Sequence, residues 1–324
     1  MLWTPPLEQI LATAHVVSLP MRVKFRGVQS REVVVFDGPA GWAEFSPFVE
    51  YDDEESSRWL ASAVEAGWLG HPDPLRSTVP VNATVPAVAA EQVPNVLAAY
   101  DGLHTVKIKV AEAGQTLAQD VARVGAVRHL LPDAKLRVDA NGGWSVPQAV
   151  QALRMLAAFG LEYAEQPVAS VPDMAAVRGA LDGAVLIAAD ESVRKATDPL
   201  AVARAGAADL LVIKAAPLGG VRRALEIVAQ AGLPAVVSSA LDSSVGIRTG
   251  LALAAALPEL PYACGLGTVS LMAADVATPS LVAVGGSMAV RDVVADPELL
   301  TQFAAPAQRR DWWIERSSRC HGLL

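Results

Sequence analysis

Apolar and polar positions divide the chain into two textures. Up to about residue 80, short apolar runs are broken by turn residues in the manner of antiparallel strands: residues 33–36, a hairpin turn over residues 37–41, then residues 42–45. Residues 54–68 switch to a helical period, with Trp59, Leu60, Val64 and Trp68 near one face. Pro72, Pro74 and Pro80 then mark a linker. From Val81 onward strand-length apolar runs alternate with longer amphipathic stretches, as in repeated βα units of a parallel architecture.

That second texture predicts eight strands, at residues 81–85, 105–110, 135–140, 162–165, 185–190, 209–214, 235–239 and 262–265. Helical patterns lie between them, among them residues 117–131, 146–159, 221–231 and 245–257. Eight βα units predict an α/β fold with a closed (β/α)8 TIM-type barrel. An open doubly wound sheet would want a glycine-rich fingerprint after its first strand, and Thr84-Val-Pro-Ala87 supplies none. The expected domains are an N-terminal α+β unit over residues 1–80, the barrel over 81–281, and a C-terminal return over 282–324. In that return, Trp312-Trp313 reads as packing against the first domain rather than as a ligand box.

Composition narrows the function classes. The 324 residues are 52% hydrophobic and 19% charged, an ordinary globular balance. A net charge of −8 without a basic run gives no nucleic-acid footprint. Cys264 and Cys320 form neither a disulfide framework nor a metal motif. The N-terminus, from Met1 to Glu8, lacks the basic region of a signal peptide, and no apolar run has the length of a membrane span. A cytoplasmic protein without membrane insertion, monomeric or weakly homo-oligomeric, is expected.

The chemistry gathers at strand ends, where a barrel puts its functional face. Lys107-Ile-Lys109 places two lysines on one side of the second strand, and their mutual repulsion makes at least one a usable base. The third, fourth and fifth strands end in Asp139, Glu165 and Asp190, at separations of 165 − 139 = 26 and 190 − 165 = 25 residues. Singly, such an acid is most often a helix cap or turn residue. Together, three carboxylates repel unless a cation holds them, and all-oxygen ligation suits Mg²⁺. The sixth strand ends in Lys214, which would stand across the barrel from the lysine pair. Asn141 orients a ligand or forms its turn, and Glu191 is a supporting acid that points away from Asp190. Arg137 shares the side of Asp139 by alternation and is a candidate for orienting substrate or the lysine pair. His71 and His104 stand alone.

The order Lys-x-Lys, Asp, Glu, Asp, Lys on successive strands resembles the enolase superfamily, in its muconate-lactonizing-type subgroup. The resemblance covers nearly the whole chain. It implies a modified (β/α)8 barrel with an α+β capping domain completed by the C-terminal segment. It also implies Mg²⁺, with Mn²⁺ able to substitute, on Asp139, Glu165 and Asp190. Lys109 would abstract an α-proton and return it to the leaving hydroxyl, Lys107 would keep its neighbour's pKa low, and Lys214 would stabilise the anion from the opposite face. Residues 137–141, 238–246 and 265–272 narrow the likeness to a carbon–oxygen lyase of menaquinone biosynthesis. Its reaction is dehydration of 2-succinyl-6-hydroxy-2,4-cyclohexadiene-1-carboxylate to 2-succinylbenzoate. Ser238, Ser239 and the backbone at Gly265 are expected to hold the second carboxylate of this small-molecule substrate. Capping loops at residues 22–27 and 45–51 are expected to close the barrel mouth.

Two departures matter. Gly267 stands where the family's Gly-Leu-x-Thr run usually has Asp, which alters the local loop contacts. The Asp-x-Asp pair with which dipeptide epimerases hold an ammonium is absent. An N-acylamino acid racemase, or another acid racemase or cycloisomerase, would use the same metal and lysines. A silent ligand-binding barrel is the non-enzymatic alternative.

Overall fold

After a short helix α1 (Leu7–Leu11), the first strands are longer than their apolar runs suggest. The structure, a computed structural model, describes residues 4–25, 27–194 and 198–324. Strand β1 (His15–Phe25) pairs antiparallel with β2 (Val28–Gly38), which continues through a two-residue turn into β3 (Gly41–Phe45). The apolar run at residues 33–36 is the buried end of β2, where every residue is inaccessible; the polar half was not legible as strand. Helix α2 (Asp53–Val64) starts at an Asp52 cap, whose carboxylate accepts from Glu55 N–H at 2.7 Å, and runs into a π-helical turn, Glu65–Leu69.

The linker holds a strand of its own. Strand β4 (Thr78–Pro80) pairs with β12 (Ser287–Ala289), which corrects its reading as proline-punctuated loop: Pro72 and Pro74 precede the pairing, Pro80 ends it opposite Ser287, and the partner lies far down the chain. Between them lies the barrel. Its strands are β5 (Ala83–Val85), β6 (Thr105–Lys109), β7 (Lys135–Asp139), β8 (Leu161–Glu165), β9 (Ile187–Ala189), β10 (Leu210–Ile213) and β11 (Ala235–Val237), all parallel and in sequential order. The expected eighth strand at residues 262–265 is reduced to single bridges, Cys264 to Val81 on one side and Gly265 to Ser238 on the other. These bridges close the ring. The Ala263 carbonyl just before them accepts from the Arg137 guanidinium at 2.6 Å, which takes it out of the ladder.

The barrel helices are α3 (Val93–Leu97), α4 (Leu117–Leu130), α5 (Val146–Leu156), α6 (Val171–Leu181), α7 (Glu191–Arg194), α8 (Ala201–Arg204), α9 (Ala215–Leu218), α10 (Val221–Ala231) and α11 (Ser244–Ala256). Inside the ring, Tyr163, Ala188, Leu210, Val212 and Val236 form a small core separate from the main one between strands and helices. Helices α12 (Pro297–Gln302) and α13 (Ala307–His321) return to the N-terminal unit. There Trp313 meets Phe45 edge to face at 6.0 Å, and buried Arg316 donates to the Phe48 carbonyl at 3.1 Å. No helix among the described residues is long and apolar enough to cross a membrane.

Two carboxylates seat the N-terminal unit on the barrel. Glu65 accepts from the first backbone N–H groups of α10, Val221 at 2.9 Å and Arg222 at 3.3 Å. Glu44 does the same at the next helix, α11, accepting from Ser243 and Gly246 N–H at 3.1 Å each. Helix N-termini attract anions, so both buried acids are held by oriented N–H groups. Gly220 is required there: its φ is +127° and a Cβ would stand 2.5 Å from Glu65 Oε2.

Candidate functional site

Pairing register turns the sequence order into a row. Lys109 on β6 is level with Asp139 on β7, which is level with Glu165 on β8. Lys107 lies one inward position below Lys109, while Asp190 and Lys214 follow β9 and β10 directly. All six side chains are buried.

The carboxylates and ammonium groups interleave. Lys109 Nζ donates to Asp139 at 2.5 Å and to Asn141 Oδ1 at 2.6 Å. Lys107 Nζ stands 3.0 Å from Glu165 and 3.3 Å from Asp139, bridging the two. Lys214 donates to Asp190 Oδ2 at 2.5 Å. Among the described residues no three acidic, histidine or cysteine side chains form a ready-made metal cage, because the lysine ammonium groups stand between the acids.

Titration directions follow from these neighbours. Burial raises Glu165, and the Asp139 charge adds to it, pushing the carboxyl up to about 7 despite Lys107. Burial opposes ionisation of Asp139, yet Lys109 and Lys107 hold it well below the usual carboxylate range. Asp190 is likewise held at about 2, burial being outweighed by Lys214 and Arg194. The two lysines of β6 diverge. Burial lowers both, but Glu165 and Asp139 lift Lys107 above the lysine range, whereas Lys109 stays below it with the Lys107 charge adding to burial. Repulsion is expected to lower at least one of the pair; the rise of Lys107 comes from the two carboxylates beside it.

Above the row is a small, narrow cavity onto which these charged groups open. Lys107, Lys109, Asp139, Asn141, Asp190, Lys214, Ser238, Ser239 and Gly265 line it, nine of the residues singled out from sequence. Ser239 Oγ donates to the Gly265 carbonyl at 2.9 Å and meets Thr268 Oγ1 at 2.8 Å, while Ser238 makes only a 3.4 Å contact with the same carbonyl. The lid comes from the N-terminal unit: Phe25, whose ring lies 5.5 Å from Lys109 Nζ, and Phe48. Of the lid stretch expected at residues 22–27, Arg26 lies outside the described residues, as do residues 1–3 of the N-terminus.

Arg137 is elsewhere, which corrects its assignment to substrate or lysine orientation. It is fully buried toward the other end of the barrel, paired with Glu162 at 2.6 Å and Asn82 at 3.1 Å, its guanidinium 4.7 Å from the Tyr163 ring centroid. Alternation gave the correct inward side but not the depth. Glu191 does not simply point away: its Oε1 accepts from Asn141 Nδ2 at 3.2 Å and from Arg194 at 2.7 Å. Gly267 has no room for a side chain, since a Cβ would stand 2.8 Å from the Asn82 carbonyl oxygen.

Two residues at the site went unnoticed in the sequence. Gln166, fully buried, accepts from the N–H of Asp190 at 3.0 Å and of Ser192 at 3.2 Å, fixing the end of β9 against β8. Arg194 donates to Asp190 Oδ1 at 3.1 Å. Both follow strand-end acids closely, but neither residue type announces a site. A backbone signal accompanies Gln166: Ala111, Asn141, Gln166 and Leu241 all have positive φ, between 40° and 62°, and all follow barrel strands. Left-handed non-glycine residues are costly and tend to collect at functional faces.

Comparison with known proteins agrees with this geometry. Residues 16–67 match the Enolase N-terminal domain-like family and residues 89–294 the Enolase C-terminal domain-like family. An o-succinylbenzoate synthase of Mycolicibacterium smegmatis is 59% identical, over 99% of this chain and 98% of its own. One from Mycobacterium leprae is 56% identical, over 99% and 95%. Among solved structures, a muconate lactonizing enzyme from Pseudomonas fluorescens superposes with a TM-score of 0.77 at 19% identity, over 90% of this chain and 98% of the other. A 2-chloromuconate cycloisomerase from Rhodococcus opacus gives 0.76 at 23%, over 91% and 98%.

Proposed function

The chain belongs to the o-succinylbenzoate synthase family of enolase-like enzymes, and on that premise we propose that it dehydrates 2-succinyl-6-hydroxy-2,4-cyclohexadiene-1-carboxylate to 2-succinylbenzoate. The reaction belongs to menaquinone biosynthesis. The observation that carries the reading at the level of atoms is a pair of lysines and a third, opposed lysine around one small cavity with carboxylates in its floor. An N-acylamino acid racemase is not favoured, given the names of the full-length relatives.

Enzymes of this superfamily depend on a divalent metal, and Mg²⁺ is the proposed one, with Mn²⁺ able to substitute. The residues present fit such an ion: Asp139 and Asp190 line the cavity and Glu165 is level with Asp139, an all-carboxylate set that suits a hard cation. Asp139, Glu165 and Asp190 would hold it. The metal, when bound, supplies a Lewis acid that makes a proton beside the substrate carboxylate removable.

The lysines do the rest. Lys109, its pKa held low chiefly by burial, takes the α-proton at Nζ and delivers it to the departing hydroxyl, so that proton and hydroxide leave together as water. Asn141, bonded to the same Nζ, fixes its direction. Lys107 remains charged and bound to Glu165. Lys214 enters the cavity from across the barrel and faces the developing negative charge as an ammonium. The Ser238 and Ser239 hydroxyls hold the succinyl carboxylate; Gly265, expected to join them, has its N–H spent on the Val237 carbonyl at 2.8 Å, and Phe25 and Phe48 exclude water.

The test is direct: purified protein with Mg²⁺ converts the cyclohexadiene substrate to the aromatic product, and a chelator stops it. Absence of conversion with metal present overturns the reading.

A further inference from the structure

Resting on that reading of the site, we infer that Arg194 is a positioning residue that ties the lid to both faces of the cavity. Arg194 does not line the cavity. It is 2% exposed, so its charge is expensive unless every donor is used. Each of its three nitrogens reaches a different functional part. Nε holds Asp190 Oδ1 at 3.1 Å, leaving the other oxygen to Lys214 at 2.5 Å. Nη2 holds Glu191 Oε1 at 2.7 Å, and that oxygen also accepts from Asn141, whose own carbonyl oxygen binds Lys109 at 2.6 Å. Nη1 reaches the Tyr51 hydroxyl at 3.2 Å, with Glu55 Oε1 at 3.9 Å.

Tyr51 and Glu55 come from the N-terminal unit, and Tyr51 ends the loop that carries Phe48 over the cavity. The two branches therefore run from the lid through one guanidinium: one to Asp190 and Lys214, the other through Glu191 and Asn141 to Lys109. A planar fork with donors in fixed directions can hold three acceptors at once, which a single ammonium on a flexible stem cannot do in the same geometry. When Tyr51 is in place, Asp190 is aimed and Lys109 is oriented. A lid that has not seated leaves one arm of the fork unheld.

Arg194→Lys, which keeps the charge but loses the fork, is the principal test. It should lower kcat about 10- to 100-fold and weaken Mg²⁺ binding, read by calorimetry without substrate, by a similar factor, the range found for groups that orient metal ligands. KM should move far less. Tyr51→Phe removes one oxygen atom and should lower kcat and weaken Mg²⁺ binding, each several-fold, because it loosens the fork that aims Asp190, and its effect should vanish in the Arg194→Lys background. A folded Arg194→Lys protein with wild-type kcat and Mg²⁺ affinity overturns the inference. Should that variant fail to fold, Tyr51→Phe decides: unchanged kcat refutes the link from the lid. Wild-type protein inactive on the substrate sinks the functional reading instead, and the calorimetry still tests Arg194 by itself.

Discussion

Arg137 and Asp139 lie two residues apart on β7, both buried and both facing into the barrel, yet they belong to opposite ends of it. At the Arg137 end the charge is closed in. The guanidinium has Glu162, Asn82 and the Ala263 carbonyl as partners and two tyrosine rings, Tyr163 and Tyr262, against its face. At the Asp139 end, charges are concentrated beyond what mutual pairing needs and open onto a cavity. The first arrangement contributes to stability; the second is poised for binding and proton transfer. Buried charge alone does not tell a site from a structural pair. What separates them is whether the charges face a space.

That contrast can be broken by experiment. Lys109→Ala should leave a folded protein with kcat lowered by about 10³-fold or more, as for loss of a general base, measured as product formation at saturating substrate. Substantial residual activity would move the proton transfer to another residue. Arg137→Met should do the reverse, costing about 1–3 kcal/mol of unfolding free energy in a denaturant titration because the buried Asn82 Oδ1 and Ala263 carbonyl lose their donor, while half-buried Glu162 keeps Lys135 at 3.2 Å. Its Mg²⁺ binding should persist wherever the protein is folded; equal loss in Arg137→Met and Asp139→Asn would erase the distinction between the ends.

Position 267 joins the two ends, because the Asn82 that approaches it also receives Arg137. Gly267→Asp should therefore cost about 1–3 kcal/mol of stability through overpacking, seen as a lower denaturation midpoint. A gain in stability would show that the loop adapts. The smallest effect is expected at Ser239→Ala, which should raise KM about fivefold, the worth of roughly 1 kcal/mol for one hydrogen bond, with kcat nearly unchanged. A drop confined to kcat would place Ser239 in the chemical step.

Much of the barrel was legible because its periodicity is local. Seven of the eight expected strands form, and Val221–Ala231 coincides with its helical pattern to the residue. The eighth strand was over-read: residues 262–265 have the right composition, but one carbonyl is diverted to Arg137. The polar half of β2, Val28 to Glu32, carries little apolar signal, whereas β1 was legible in principle, since Val17, Leu19, Met21, Val23 and Phe25 alternate with the period of a strand. The lysines and carboxylates were legible because they stand at strand ends in a fixed order. Arg194 and Gln166 were not, since their role lies in what they touch.

The sequence by itself determined the order of the strands and the side to which each strand residue points, because the two-residue period of a strand is a property of the backbone. It therefore determined that Lys107, Lys109, Asp139 and Glu165 face inward. Tertiary structure decided how deep each side chain reaches: register sets Lys109, Asp139 and Glu165 level and Arg137 level with Lys107, yet Lys107 extends to Glu165 at the cavity and Arg137 to Glu162 away from it. It also decided which distant segments close the site, bringing Tyr51 to Arg194 across 143 residues. Depth and closure depend on how strands stagger and domains dock, and no local pattern carries that information.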